Sequence, residues 1–327
     1  MKIIDFKKPK NMKDFFSAIS ELGKKAVIMS GGTSFRFLVD DTERTAIDIN
    51  SILPKEISAD KNCFSIGAAA NIADLREYNS AGWVLNRVAS KLSTQQIRNM
   101  STLGGNIARI FPWSDFPVAL LALDAQITIN DGAEKKINAE DLFKQQPAIL
   151  LEDKALIISV KVPKISDNSG FGYHKEVRTS AGFSTLTVAV YLKCENISIP
   201  EPIIFSKLQI KSSCLDESPA NAERKREIQK KSLKAHNKNR LAYIEEIRIA
   251  VGAALGLPVR LKSIEEALIG KLADNSSFEE AVPRLIKDYP WRGKEGTSNE
   301  YAQHLAEIIT IDVLKESLLY AKGLKND

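Results

Sequence analysis

The chain has 327 residues, 44% hydrophobic and 27% charged, with 46 basic and 41 acidic side chains for a net charge of +5. At roughly 100–200 residues per domain this length predicts two domains, and the composition excludes global disorder and a fibrous repeat. No apolar run reaches the roughly 18–20 residues that cross a bilayer, and the opening MKIIDFKKPKNMKDFF lacks a signal-like apolar stretch, so the expected location is cytoplasmic. The cysteines (Cys63, Cys194, Cys214) and histidines (His174, His236, His304) fall at no metal-ligand or paired-thiol spacing, so no metal site is expected.

In chain order, a short strand over 3–6 precedes a helix over 11–22, with Phe15, Phe16, Ile19 and Leu22 on one face and Asn11 as its N-cap. A strand over 26–29 ends at a glycine turn, and further strands are expected at 45–48 and 63–66. Helical periodicity marks 72–78 and 84–92, followed by an unusual cluster over 95–107 and an apolar run over 116–122. Strands at 126–129 and 155–162, the latter stopped by Pro163, complete a mixed pattern that indicates an α+β or α/β fold. In the second half, strands over 171–176, 185–192 and 247–251 are interrupted by a segment, 223–240, with eight basic and two acidic residues. Helices follow. The last, over 299–321, is expected to bury Tyr301, Leu305, Ile308 and Ile309 on one face, with Gly323 just past its end.

Two glycine pairs carry the chemistry. Ser30-Gly31-Gly32-Thr33-Ser34 follows a strand, and backbone N–H groups without a neighbouring Cβ, flanked by hydroxyls, suit an anion; an ordinary turn is the plain alternative. Thr102-Leu103-Gly104-Gly105-Asn106 repeats the pattern, and two such loops could wrap the phosphates of a dinucleotide from both sides. Neither is a GxGxxG or GxxxxGK[ST] fingerprint. Asp115 is placed either to bind a ribose hydroxyl or to cap the following helix. Arg98 is open between a phosphate contact and a structural ion pair, and Lys175 by itself reads as a surface lysine.

These residues carry a resemblance. IRNMSTLGGNI followed by FPWSDFPVALLALDAQITI resembles the IRN…GGNI…SD…LLALDA pattern of FAD-binding subunits of molybdenum hydroxylases, the xanthine dehydrogenase and carbon monoxide dehydrogenase group. SGGTSF is similar to that family's first glycine loop, and FSIGAAANIADL, ALIISVKVP and IRIAVGAALGLPVRLKSIEEALIGK match further segments, leaving only about 193–243 uncovered. The resemblance implies an α+β fold: a two-part FAD-binding domain of the PCMH type over 1–168, then a C-terminal domain over 169–327 with a three-stranded antiparallel sheet and helices, carrying an insertion at about 193–243.

It also implies site residues. Met29, Ser30, Gly31, Gly32, Thr33, Ser34 and Phe35, with Thr102, Leu103, Gly104, Gly105 and Asn106, would form the two pyrophosphate loops of FAD. Asp115 would bind ribose, Ile158 would offer backbone contact near the adenine, and Lys175 matches the family lysine near the isoalloxazine. The chain departs from the pattern at Ala108-Arg109-Ile110-Phe111, where Arg109 would bring positive charge near flavin or phosphate. No residue of the chain is expected to act as a catalytic acid or base. The implied role is an oxidoreductase electron-transfer subunit, taking electrons from 2Fe-2S clusters on a small subunit and passing them to NAD⁺ or another acceptor, beside a molybdenum-cofactor large subunit. Purines are the first expected substrate class. Neither a nucleic-acid partner nor a membrane span is expected. Two other readings stay open: an anionic-surface or nucleic-acid module using 223–240, and a stand-alone flavin reductase.

Overall fold

The computed structural model describes residues 1–37, 40–111, 113–151, 154–179, 182–195, 241–293 and 296–324. Strand β1 (Lys2–Lys7), helix α1 (Met12–Leu22), strand β2 (Ala26–Met29) and strand β3 (Glu43–Asp48) open the chain, and the three strands form a parallel sheet in the order β1-β3-β2. Asn11 caps α1 as its sequence predicts: its side-chain oxygen accepts from the Asp14 N–H at 2.9 Å. Phe15 and Ile19 are buried, and Phe16 and Leu22 pack against the same core.

Next come strands β4 (Ile57–Ala59) and β5 (Cys63–Gly67), then helices α2 (Ile72–Glu77), α3 (Leu85–Lys91), α4 (Gln95–Met100), α5 (Leu103–Ala108) and α6 (Phe116–Ala122). Strands β6 (Gln126–Asn130) and β7 (Glu134–Asn138), helices α7 (Ala139–Phe143) and α8 (Pro147–Leu151), and strand β8 (Leu156–Pro163) complete this part. The strands form an antiparallel sheet, β4-β5-β8-β6-β7, and every residue of α6 is buried.

The chain then runs through strands β9 (Ser169–Val177), β10 (Ser184–Glu195), β11 (Tyr243–Gly252) and β12 (Val259–Arg260), followed by helices α9 (Lys262–Leu268), α10 (Asn275–Leu285) and α11 (Asn299–Ala321). Three long antiparallel strands carry this sheet as expected; the two-residue β12 adds a fourth at the edge. Its alternate side chains serve two cores. Phe171, Tyr173, Ala189 and Tyr191 join the core of the N-terminal sheets, while Val188, Val190, Leu192 and Ile249 pack with the C-terminal helices. Arg248 on β11 reinforces the junction, donating from Nε to the Ala122 carbonyl at 2.7 Å with its guanidinium over the Tyr191 ring.

Helix α11 corrects its expected face. Tyr301 and Ile308 are exposed, whereas Ile309 is buried as expected and Leu305 packs against the core; the buried stripe runs through Ala302, Ala306, Ile309, Thr310, Val313, Leu314, Ser317, Leu318 and Ala321. Small residues make up much of that stripe because the helix backbone lies directly on β9: a Cβ on Gly170 would sit 1.9 Å from the Ser317 carbonyl oxygen. Gly323, at φ +62°, follows the helix end as expected. The basic segment 223–240 lies outside the described residues. No helix among the described residues is long and apolar enough to cross a membrane.

Candidate functional site

The first glycine pair sits where β2 ends. Gly31 is glycine because it presses on the second segment: a Cβ there would lie 2.0 Å from the Met100 carbonyl oxygen. Gly32 has φ +66°, a left-handed conformation that a side chain would strain. Three hydroxyl contacts tie the loop down. Ser30 Oγ donates to Asn50 Oδ1 at 2.8 Å and lies 3.0 Å from Thr102 Oγ1, and Thr33 Oγ1 lies 3.0 Å from Ser101 Oγ. The backbone N–H groups of Gly31, Gly32, Thr33 and Ser34 find no acceptor among the described residues.

The second glycine pair, expected as a loop, is the first turn of α5. Thr102 is its N-cap, accepting the Gly105 N–H on Oγ1 at 3.2 Å and the Asn106 N–H on its carbonyl at 3.0 Å. The Leu103 and Gly104 N–H groups donate to the carbonyls of Ala70 and Ala68. The main-chain donors from 103 to 106 are therefore committed within the chain. Gly104 is glycine because Ala68 leaves no room, with 2.8 Å between a built Cβ and the alanine methyl. Gly105 instead turns an exposed face to the cavity, where only Thr102 Oγ1 stands near. The side-chain oxygen of Asn106 is buried on the cavity wall without a hydrogen-bond partner among the described residues.

Both segments line one cavity of about 280 Å³. Of the residues singled out by sequence, Ser30, Gly32, Thr33, Ser34, Phe35, Thr102, Gly104, Gly105, Asn106, Asp115 and Lys175 lie on its wall. Four stand behind it. Met29 is paired in the strand, Gly31 is wedged against Met100, Leu103 is a fully buried core residue, and Ile158 gives its carbonyl to the Ala68 N–H at 2.9 Å while Ile157 takes the wall position. Arg98 forms no ion pair with a carboxylate among the described residues: it donates to the carbonyls of Leu92 and Ser93 at 2.9 and 2.8 Å and to the Gln95 side chain. Arg109 is exposed on the cavity wall.

Asp115 and Lys175, expected at different parts of a ligand, form one unit. Asp115 occupies the N-cap position of α6 but makes no capping bond. Its Oδ2 accepts from Lys175 Nζ at 2.8 Å and its Oδ1 from the Tyr173 hydroxyl at 3.0 Å. The side chains of the ion pair are only 3% and 6% exposed, so Lys175 is no surface lysine. Burial pushes the Asp115 carboxyl above its usual range, with Lys175 and Tyr173 pulling it back, and burial together with Asp115 pushes the Tyr173 phenol well above its own.

Sequence reading missed an aromatic cluster. Trp113 stacks between Phe111, at 5.2 Å between ring centres, and Phe183, at 4.2 Å; Phe37 meets all three rings edge-on or tilted. These rings come from three separate parts of the chain, so spacing gives no hint of their meeting. An apolar wall that includes Val27, Ile28, Ile49 and Leu53 completes the cavity. The arrangement offers free main-chain donors and hydroxyls to an anion, apolar and aromatic surface to planar rings, and a buried ion pair beside them.

Comparisons with known proteins bear on this site. Residues 2–165 match a family model described as the FAD binding domain in molybdopterin dehydrogenase, and residues 238–317 match the CO dehydrogenase flavoprotein C-terminal domain. The carbon monoxide dehydrogenase medium chain of Hydrogenophaga pseudoflava is 25% identical over 200 residues, covering 58% of this chain and 69% of that one. The glyceraldehyde dehydrogenase medium chain of Sulfolobus acidocaldarius is 22% identical over 275 residues, covering 83% and 82%. Among solved structures, the carbon monoxide dehydrogenase from Hydrogenophaga pseudoflava aligns with a TM-score of 0.76 at 20% identity, covering 97% of this chain and 98% of the other. Quinoline 2-oxidoreductase from Pseudomonas putida 86 aligns with a TM-score of 0.75 at 18% identity, covering 98% of each.

Proposed function

Because the chain belongs to the family of FAD-binding domains of molybdopterin dehydrogenases, an oxidoreductase family with FAD as cofactor, we propose that it is an electron-transfer subunit working in the cytoplasm. It would take electrons from 2Fe-2S clusters on a small partner subunit, beside a large subunit that carries the molybdenum cofactor and selects the substrate, and pass them to NAD⁺ or another acceptor. FAD, when bound, supplies the redox chemistry, and the chain supplies binding, orientation and electrostatics.

The cavity suits that cofactor on three counts. The N–H groups of Gly32, Thr33 and Ser34, without an acceptor among the described residues, suit an anion at the cavity wall, the exposed face of Gly105 lets a phosphate approach the backbone, and the buried Asn106 oxygen needs a donor. In this reading the first glycine segment and the hydroxyls of Thr33 and Ser34 hold the pyrophosphate. The stacked rings of Trp113 and Phe183 would offer the flavin an apolar aromatic surface that excludes water, with the ammonium of Lys175 on the same cavity wall. The observation that carries the reading is the closure of two distant glycine segments, by Ser30–Thr102 and Thr33–Ser101 contacts, around a single cavity.

A visible absorption spectrum of the purified chain, followed by acid release and chromatography of the bound nucleotide, tests it. Flavin bands with stoichiometric FAD are expected; a colourless chain that also refuses added FAD would refute the reading. Gly105→Val is expected to fold and to lose FAD, because its side chain enters the cavity.

A further inference from the structure

We propose that Tyr173 is a positioning residue: its buried hydroxyl fixes Asp115, and Asp115 in turn holds the ammonium of Lys175 at the cavity wall. The proposal rests on the FAD reading above and adds a residue that does not itself line the cavity.

The geometry follows from the strand. Tyr173 and Lys175 are two apart on β9, so they leave the sheet on the same side, and Asp115 from the start of α6 meets both. Ala189 pairs opposite Tyr173 on β10, a small neighbour beside the phenol. Asp115 and Lys175 reach the cavity; Tyr173, 7% exposed, stands behind them. A carboxylate this deeply buried needs both of its oxygens engaged, and the two partners engage one each. The phenol, whose ionisation burial and Asp115 both oppose, remains a donor at ordinary pH.

Removing the hydroxyl would leave Asp115 Oδ1 without its donor. The whole demand of the carboxylate then falls on Lys175, its proton is drawn toward Asp115, and the positive charge presented to the cavity weakens. Because reduction adds negative charge to a flavin, a weaker cation disfavours the reduced form.

The test is the midpoint potential of bound FAD in Tyr173→Phe, measured by dye equilibration after FAD content has been determined by acid release. Retained FAD is expected, with the preference for the reduced cofactor falling about tenfold, equivalent to a two-electron potential lower by about 30 mV. A second substitution keeps the shape of the side chain. Site-specific replacement of Tyr173 by 3-fluorotyrosine, a more acidic phenol and stronger donor, should move the potential upward. A merely structural tyrosine would change stability and leave the potential in place. Unchanged potentials in both proteins with FAD retained would overturn the proposal, and if Tyr173→Phe fails to fold, the fluorinated protein decides alone. A parent chain that binds no FAD would refute the functional reading instead, and the two failures are distinguishable.

Discussion

The two glycine pairs look alike in sequence and differ in what they leave available. In the first, Gly31 and Gly32 hold a turn whose main-chain donors from 31 to 34 are uncommitted among the described residues. In the second, the same donors are spent on starting a helix, on Ala68 and Ala70, and on the Thr102 side chain. One segment therefore keeps the donors that an anion could use, as proposed above, and the other is a wall that contributes the bare face of Gly105 and the side chain of Asn106. A glycine pair has no single meaning; its hydrogen-bond ledger decides it.

Substitutions can break or sharpen this contrast. The largest effect is expected from Gly31→Ala, whose Cβ would meet the Met100 carbonyl at 2.0 Å and force the segments apart. A loss of about 3 kcal/mol in urea unfolding is expected, and an alanine protein as stable as its parent would show that the two segments are not wedged together. Thr102→Val comes next, removing the cap of α5 and the link to Ser30 together. It should cost about 1–2 kcal/mol, and in a double-mutant cycle with Ser30→Ala the two changes should fall short of additivity by about 0.5–1 kcal/mol. Asn106→Ala should be nearly silent in unfolding, within about 0.5 kcal/mol, because its buried oxygen has no partner to lose. Its effect belongs to the ligand: FAD affinity measured by fluorescence titration should drop roughly tenfold, the value of one buried hydrogen bond.

Much of the architecture was legible in the sequence. The strands at 26–29 and 156–163 declare themselves through β-branched runs, and α1 through its period and its Asn11 cap. The site was legible as a pair of segments but not as geometry. Gly104 and Gly105 disfavour a helix by propensity, and tertiary contacts with Ala68 and Ala70 override that preference. Asp115 and Lys175 are sixty residues apart, so nothing local joins them into one ion pair. The rings of Phe37, Trp113 and Phe183 likewise converge only through the packing of the β9–β10 hairpin against the α5–α6 connection. On α11 the error had a different origin: its buried face mixes Ile309, Val313 and Leu314 with small residues such as Ala302, Ala306 and Ser317, while the large Tyr301 and Ile308 lie outside it.

The alternating allegiance of the β9–β10 strands also sets an order of events during synthesis. Lys175 and Phe183, two parts of the cavity wall, belong to a hairpin that is extended in its sheet by β11 and covered on its other face by α11. Until the ribosome has released those elements, half of the hairpin's apolar surface has nothing to rest on. The cavity wall at Lys175 and Phe183 thus gains its full support only after α11 has been made, more than a hundred residues later in synthesis.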